Sequence, residues 1–180
     1  MEIAAFDTDD LADDSGKAPI TWIGKELLAT VRRFNPALVT NADGTYKEST
    51  GGVGGWEKSE LRSYLKNTVK PLIPLVVIEA IVETKRKQGA YDTSGNYFAQ
   101  TTSDDVWIPS RGEIWGMLCT YEKFLNASGT LEKLINGVGE FWSLRDTSST
   151  TTSYILNKNG QPYNASKVEV ESGICLCFCT

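Results

Sequence analysis

The sequence predicts an α+β fold, with two helices set against short, mostly antiparallel strands. Three observations lead there. Residues 61–72 carry an amphipathic helical stripe, and a second stripe follows a capping box at Ser110. The last forty residues read as strands around an Asn159-Gly160 turn. Nowhere does a strand-helix-strand alternation suggest a parallel sheet.

Glu2 to Asp14 is an acidic segment, and residues 1–18 are expected to be a solvated, mobile lead-in or an attachment segment. The remaining residues, 19–180, are then one domain, since 180 residues suit one well-packed core and are short for two. Ile20 to Phe34 reads equally as extended structure or as a short helix, and Asn35-Pro36 ends it. From Asn41 to Gly55 the chain reads as loop, with an Ala42-Asp43-Gly44-Thr45 turn and four glycines from Gly51 to Gly55.

The first helix begins near Trp56. Leu61, Tyr64, Leu65, Thr68, Val69 and Leu72 share one face, Ser59 or Glu57 supports the first turn, and Pro71 and Pro74 end it. Glu79 to Arg86 reads as a strand leading into a polar loop, Gln88 to Thr102. Asp104 to Ser110 reads as a short buried strand. Ser110 with Glu113 then opens a helix whose stripe continues through Ile114, Trp115, Leu118, Tyr121 and Leu125. Asn126 to Gly139 is a connection. Phe141 to Arg145 is a buried strand, followed by Asp146 to Tyr154, in which seven of nine residues are Ser or Thr. An apolar strand with Cys175, Cys177 and Cys179 closes the sequence.

Composition narrows function. The formal net charge is −5, but residues 1–16 contribute −6 and the remainder sums to +1. A near-neutral folded part offers no phosphate-tracking surface, so nucleic acid is not an expected partner. The spacing of Asp7, Asp9, Asp10, Asp13 and Asp14 lacks the Gly and Glu of a calcium loop. There is no histidine, which removes Ser-His-Asp and Cys-His catalysis and His-ligated metals. The adjacent carboxylates of Asp104 and Asp105 point to opposite faces of a strand and cannot jointly flank one glycosidic bond. Alternate cysteines at 175, 177 and 179 lie about 6.6 Å apart along a strand, too far to bridge or to gather round zinc. They are expected to be packing thiols, with a bridge from Cys119 as the alternative. No enzyme, metal or cofactor is expected. No apolar run approaches the ~20 residues that span a bilayer, and the N-terminus does not resemble a signal peptide.

Four blocks carry a family resemblance. Trp56-Glu57-Lys58-Ser59-Glu60-Leu61-Arg62-Ser63-Tyr64-Leu65 resembles a W-x-x-S-x-L-R-x-x-L motif, and Asp105 to Glu113 a D-x-V-x-x-P-S-x-x-E block. Phe141-Trp142-Ser143-Leu144-Arg145 is similar to a W-W-L-R-S block, with Ser143 where a second Trp is usual. Gly173 to Thr180 resembles a closing G-V-x-x-G-F-C strand, with Cys177 in place of Gly. Together they resemble an uncharacterised domain family of bacteria and their phages. The resemblance implies a C-type-lectin-like fold, a small twisted antiparallel sheet with two helices and long loops, found in phage tail and fibre proteins and in bacterial surface proteins. In related lectin-fold proteins the face around the last strands is a receptor-binding surface, in some diversified at adenine-containing codons by a retroelement.

The expected function is therefore recognition of a host-surface protein or glycan, on a virion tail or at the cell surface. The candidate ligand-binding residues are Asp146, Thr147, Ser148, Tyr154, Asn157, Asn159, Tyr163 and Asn164, a Tyr, Asn, Ser and Thr palette suited to adaptable contacts. Each has a plain structural alternative: Asn159-Gly160 as a type I′ turn, the tyrosines as half-buried strand residues. Trp56, Trp107, Trp115 and Trp142 are expected in the core, and Arg62 and Arg145 as partners of buried carbonyls or of Glu113. The alternative functions are a structural subunit that assembles with copies of itself, for example as a trimer in a fibre, and an enzyme using carboxylates or Cys119.

Overall fold

A computed structural model describes residues 1–36, 51–115, 120–125 and 131–180, with the side chains of Leu125, Asn164 and Ala165 outside the description. The Ala42-Asp43-Gly44-Thr45 turn, Leu118, Cys119 and residues 126–130 of the expected connection lie outside the described residues.

The acidic opening is part of the folded body. Strand β1 (Glu2–Phe6) pairs antiparallel with β2 (Ile20–Ile23), and Ala4, Ala5 and Ala18 are buried in the core. Asp9 is buried as well, accepting a hydrogen bond from Thr21 Oγ1 at 2.6 Å. At the surface, Asp10 and Asp14 pair with Lys17 and Lys85 while their side chains remain solvent-exposed. The ambiguous segment after Ile20 is not helical: β2 gives way to bends and irregular backbone over 24–30, and β3 (Val31–Arg33) follows.

The expected first helix is a chain of short turns. A 3-10 turn, Gly55–Lys58, leads to α1 (Glu60–Tyr64), a π turn Leu65–Val69 and a 3-10 turn Lys70–Leu72. Ser59 caps α1, its hydroxyl accepting from Arg62 N at 3.1 Å. The helical stripe buries Leu61, Leu65 and Val69 as expected. Pro71 sits inside the last 3-10 turn and Pro74 caps α2 (Leu75–Ile78), so the prolines divide the segment instead of ending it.

The region read as polar loop is a regular hairpin, β4 (Thr84–Tyr91) and β5 (Tyr97–Asp104), paired along all eight positions from Thr84–Asp104 to Tyr91–Tyr97. The Ser110 capping box is present, but α3 (Arg111–Ile114) is one turn long. Trp115 is extended (φ −148°, ψ 143°), so the stripe from Ile114 to Leu125 is not one helix, and α4 (Glu122–Leu125) is separate. Within the expected connection, β6 (Leu134–Ile135) and β7 (Val138–Gly139) form a minimal hairpin across Asn136-Gly137. Both turn residues have positive φ, 53° and 81°, as a primed two-residue turn requires.

Strand β8 (Trp142–Thr147) is central, followed by β9 (Thr152–Leu156), β10 (Pro162–Lys167), β11 (Glu171–Gly173) and β12 (Cys177–Cys179). The Ser/Thr run is thus two strand ends around a tight turn. The closing apolar strand is split: residues 174–176 are irregular between β11 and β12. Two sheets organise the body, one in the order β1-β2-β12 and one in the order β10-β9-β8-β11-β3, with β11 parallel to β8. The architecture is α+β, mostly sheet with few short helices. Trp56, Trp107 and Trp142 are fully buried at its centre, whereas Trp115 is half-buried. Cys175, Cys177 and Cys179 are free and buried in the core.

Candidate functional site

The scaffold beneath the candidate site is a buried polar layer. The inward face of the β4–β5 hairpin carries Thr84, Arg86, Gln88, Gln100, Thr102 and Asp104, all buried. Asp104 accepts from Trp56 Nε1 (3.0 Å), Arg62 Nε (2.6 Å) and Thr102 Oγ1 (2.6 Å), while Asp105 pairs with Lys70. The two carboxylates are thus committed to different partners, as strand alternation requires.

Arg145 grips Glu113 through both terminal nitrogens, Nη2 to Oε1 at 2.5 Å and Nη1 to Oε2 at 3.1 Å. Its Nη1 also donates to Ile108 O and its Nε to Gln88 Oε1. Arg86 lies 4.1 Å over the Trp107 ring, donates to Tyr121 OH, and lies 3.3 Å from Glu113 and 2.8 Å from Asp9. The Asp9 contact is off the N–H line and acts as charge contact, not hydrogen bond. Burial lowers both guanidinium pKa values, but the facing acidic groups, Tyr121 then Glu113 and Asp9 for Arg86 and Glu113 for Arg145, more than reverse that and leave them raised. Burial, then the charge of Glu113, pushes the Tyr121 hydroxyl up. Two cations and two anions close on one another here, and the guanidinium and phenol groups stay protonated.

The expected ligand-binding residues fall into three groups. Asp146 and Thr147 join strands: Asp146 accepts from Gly89 N (3.0 Å) and Arg111 N (2.6 Å), and buried Thr147 donates to Gly89 O. Ser148 is half-buried in a hydroxyl cluster with Thr152, which closes the turn. Asn157 shapes the β9–β10 loop, its Oδ1 accepting from Asn159 N and Gln161 N, each at 2.9 Å. The expected type I′ turn is absent, because Gly160 has φ 67° while Asn159 is not left-handed. Asn157 supplies the turn through its side chain instead. Tyr163 is exposed and edge-on to Phe141 at 5.8 Å, beside Lys158. Asn164 lies in β10, at a register shift between Tyr163 and Ser166. Tyr163 pairs with Ile155, the neighbour of Tyr154, so the two tyrosines face opposite sides of the sheet. They do not form one surface.

A different set is joined to Asp146 and Tyr154. The Arg111 guanidinium is exposed and sits 4.4 Å over the Trp115 ring and 5.1 Å over the Tyr154 ring. Its backbone is held by Asp146, whose other oxygen holds Gly89. Tyr97 lies across Gly89: a Cβ there would stand 2.6 Å from the Tyr97 ring. That ring is 64% exposed and T-stacked on Tyr91 at 5.6 Å. The hairpin tip is closed by Asp92, whose Oδ1 accepts from Ser94 N and Asn96 N. Gly52 N and Gly54 N donate to Thr150 O and Tyr91 O, docking the Ser/Thr turn beside the hairpin. The outcome is a partly exposed aromatic and cationic surface in which Asp146 ties the backbone of Arg111, beside Trp115 and Tyr154, to the hairpin that carries Tyr91 and Tyr97. Arg111, Trp115, Tyr91 and Tyr97 were not expected in it. Tyr91 and Tyr97 bracket Asp-Thr-Ser-Gly-Asn, a turn signal that marks a hairpin.

Concavities are also present, and one shares Lys87 with the outward face of the hairpin. One of about 260 Å³ is lined by Asp9, Asp10, Lys85, Lys87, Ser110 and Glu113 among others. An apolar groove of about 550 Å³ is lined by residues including Leu28, Tyr64, Leu72, Val77, Leu176 and Phe178. Among the described residues no group of three or more His, Cys, Asp or Glu is placed to hold a metal ion.

The family model described as Domain of unknown function (DUF6273) matches residues 25–179. No curated protein and no solved structure matches the chain.

Proposed function

The chain belongs to the DUF6273 family, whose model spans every element from β3 to β12, and from that premise we propose that it is a non-enzymatic recognition domain. In this reading it has a C-type-lectin-like fold, sits in a phage tail or fibre protein, and binds a host-surface protein or glycan. One observation carries the recognition reading: exposed aromatic and cationic side chains are held in fixed positions by backbone pairing. Arg111 is pinned between Trp115 and Tyr154, and Tyr97 lies over Gly89, with Asp146 bonded between them. Pre-ordered side chains lose little entropy on binding, which is the usual advantage of such a surface. Support for the lectin-like assignment comes from the four motif blocks: the second and third join through Glu113 and Arg145, the fourth joins them through Trp107–Cys177 and Phe141–Gly173 backbone bonds, and Trp56 and Arg62 of the first bond Asp104, next to the second.

The test compares two folded variants in binding to bacterial cells. Tyr97→Ala with Arg111→Ala alters the proposed surface, and Asn157→Ala with Tyr163→Ala alters the opposite edge. Loss of binding in the first variant supports the proposal. Undiminished binding by both would sink it.

A second reading, a self-assembling structural subunit, is favoured by the apolar groove and its neighbours. Leu72, Leu75 and Val76 are 79%, 68% and 74% exposed on consecutive turns there. Sedimentation of Leu75→Glu tests it: an oligomer that dissociates in the variant supports self-assembly through this face, and a monomeric wild type refutes it.

A further inference from the structure

We infer that Arg111 is a receptor for a carboxylate and that the ligand of this surface is an acidic glycan; the inference rests on the recognition reading above. The argument begins with what Arg111 does not do. Among the described residues its guanidinium makes no ion pair, although Asp146 is adjacent. Both Asp146 oxygens are already taken by backbone N–H groups, of Gly89 and of Arg111 itself. The guanidinium lies instead beside two rings, on an exposed residue. An exposed guanidinium without a carboxylate partner among the described residues retains the donors for bidentate binding of a planar carboxylate.

Beyond Asp146, the outward face of the hairpin supplies the second half of the site. Tyr97 covers Gly89 and is exposed, so its outer ring face is a flat apolar platform. Exposed Ala99 and Thr101 follow on the same face of β5, with exposed Lys87 paired opposite Thr101. An open aromatic face bordered by small and hydroxyl side chains matches the C–H face of a pyranose ring, while its hydroxyls reach Thr101 and Lys87. A peptide anchor would want a desolvated pocket, which a 64% exposed ring does not provide. Nucleic acid would want a run of cations, and the sequence beyond residue 16 sums to only +1. An acidic oligosaccharide uses both halves, one sugar ring on Tyr97 and a carboxylate on Arg111.

The experiment measures binding of the whole chain to an oligogalacturonate, to the same oligosaccharide with its carboxyls reduced, and to a polyglutamate peptide. The oligogalacturonate is expected to bind. Carboxyl reduction or Arg111→Gln should each weaken it by about tenfold or more, the scale of one charge-assisted pair. Arg111→Lys should restore only part of the loss, because the ammonium lacks the planar fork. Tyr97→Ala should weaken both the acidic and the reduced oligosaccharide. Equal binding of the reduced form, or no effect of Arg111→Gln, overturns the inference. Arg111-dependent binding of polyglutamate without oligogalacturonate binding overturns it in favour of an acidic peptide. If cells are bound through Arg111 and neither probe is, the carboxylate-glycan assignment falls while recognition stands. If neither cells nor probes depend on this surface, both fall.

Discussion

Replacing Glu113 with Gln removes one charge from the buried layer and changes almost nothing in shape. In the wild type the carboxylate receives Arg145 through two nitrogens, lies 3.3 Å from Arg86, and accepts the Ser110 backbone N–H at 2.8 Å. Gln keeps one acceptor for Ser110, so the capping box survives in part. What it loses is the counter-charge. Arg86 would then keep Asp9, Arg145 would be left without a carboxylate among the described residues, and the new amide N–H₂ would face a guanidinium donor. Removing one partner from a buried pair costs about 3–5 kcal/mol. The lower end applies here, because Arg145 keeps carbonyl acceptors at Ile108 and Lys87 and the side chain of Gln88. For a chain of this size, ~3 kcal/mol lowers Tm by roughly 6–12 °C. Urea titration read by tryptophan fluorescence measures it, and a double-mutant cycle with Arg145→Met isolates the pair. The cycle should return a coupling of about 2 kcal/mol, since the double variant removes the stranded cation together with its partner. A loss under ~1 kcal/mol for Glu113→Gln, or additivity in the cycle, would refute the reasoning.

The remaining predictions concern other parts of the chain. Burial pushes the Glu2 carboxyl up, but hydrogen bonds from Lys123 and Lys133 outweigh that and hold it below the ordinary value. A folded-state pKa below the unfolded one gives stability that is full above the unfolded value and is lost as pH falls through the folded value. Below about pH 4.3, wild type should therefore lose its advantage over Glu2→Gln, and an advantage that grows on acidification would contradict this. Burial first, then Asp9, pushes the Cys179 thiol up to about 12. Peptide mapping after iodoacetamide treatment should find Cys175, Cys177 and Cys179 unmodified in the native protein and modified in urea; native labelling at Cys179 would disprove its burial. At Gly160, φ is 67° and a Cβ would stand 2.0 Å from Glu132 N, against nothing within 4 Å at Gly95, φ 82°. Gly160→Ala should cost about 2–4 kcal/mol by chemical denaturation and Gly95→Ala about 1, both having the backbone penalty and only the first the collision. Equal losses would refute the contact. Gly89→Ala should displace the Tyr97 ring with little loss of Tm, because the ring can swing away; an unchanged affinity for the ligand of this surface would exclude Tyr97 as its platform.

Legibility in the sequence followed the chemistry of burial. The Leu144-Arg145 strand and the Ser110–Glu113 capping box were readable because each is a local rule, and the expected contact of Arg145 with Glu113 is present. The three core tryptophans were readable for the same reason. The β4–β5 hairpin was not, although its alternation is regular. Its buried face is Arg86, Gln88, Gln100, Thr102 and Asp104, so no apolar period marked it as strand. That single miss also hid Tyr91 and Tyr97. The second helical stripe failed differently: Trp115 leaves the helix, with its ring under Arg111, and intrinsic propensity yields to a tertiary contact. Residue palette singled out Asp146, Tyr154 and Tyr163 alike and could not reveal that Tyr163 faces away from Tyr154, since the β9–β10 register depends on Asn157.

The order β1-β2-β12 has a mechanical consequence. β1 and β12 both run antiparallel to the strand between them, so they are parallel to each other. Glu2 lies at the Ile23 end of that strand and Thr180 at the Ile20 end, where Thr180 and Ile20 exchange backbone hydrogen bonds. Tension between residues 2 and 180 therefore acts along the strands and loads the rungs of both ladders together, in shear, instead of peeling them one at a time. Force between these two positions would meet its resistance first in the sheet that holds Cys177 and Cys179, to which neither Tyr97 nor Arg111 belongs. Stretching a single molecule from these positions should give a high, sharp rupture force, and pulling from residues 2 and 23, which face each other at one end of the ladder and open β1 from β2 end-on, a much lower one.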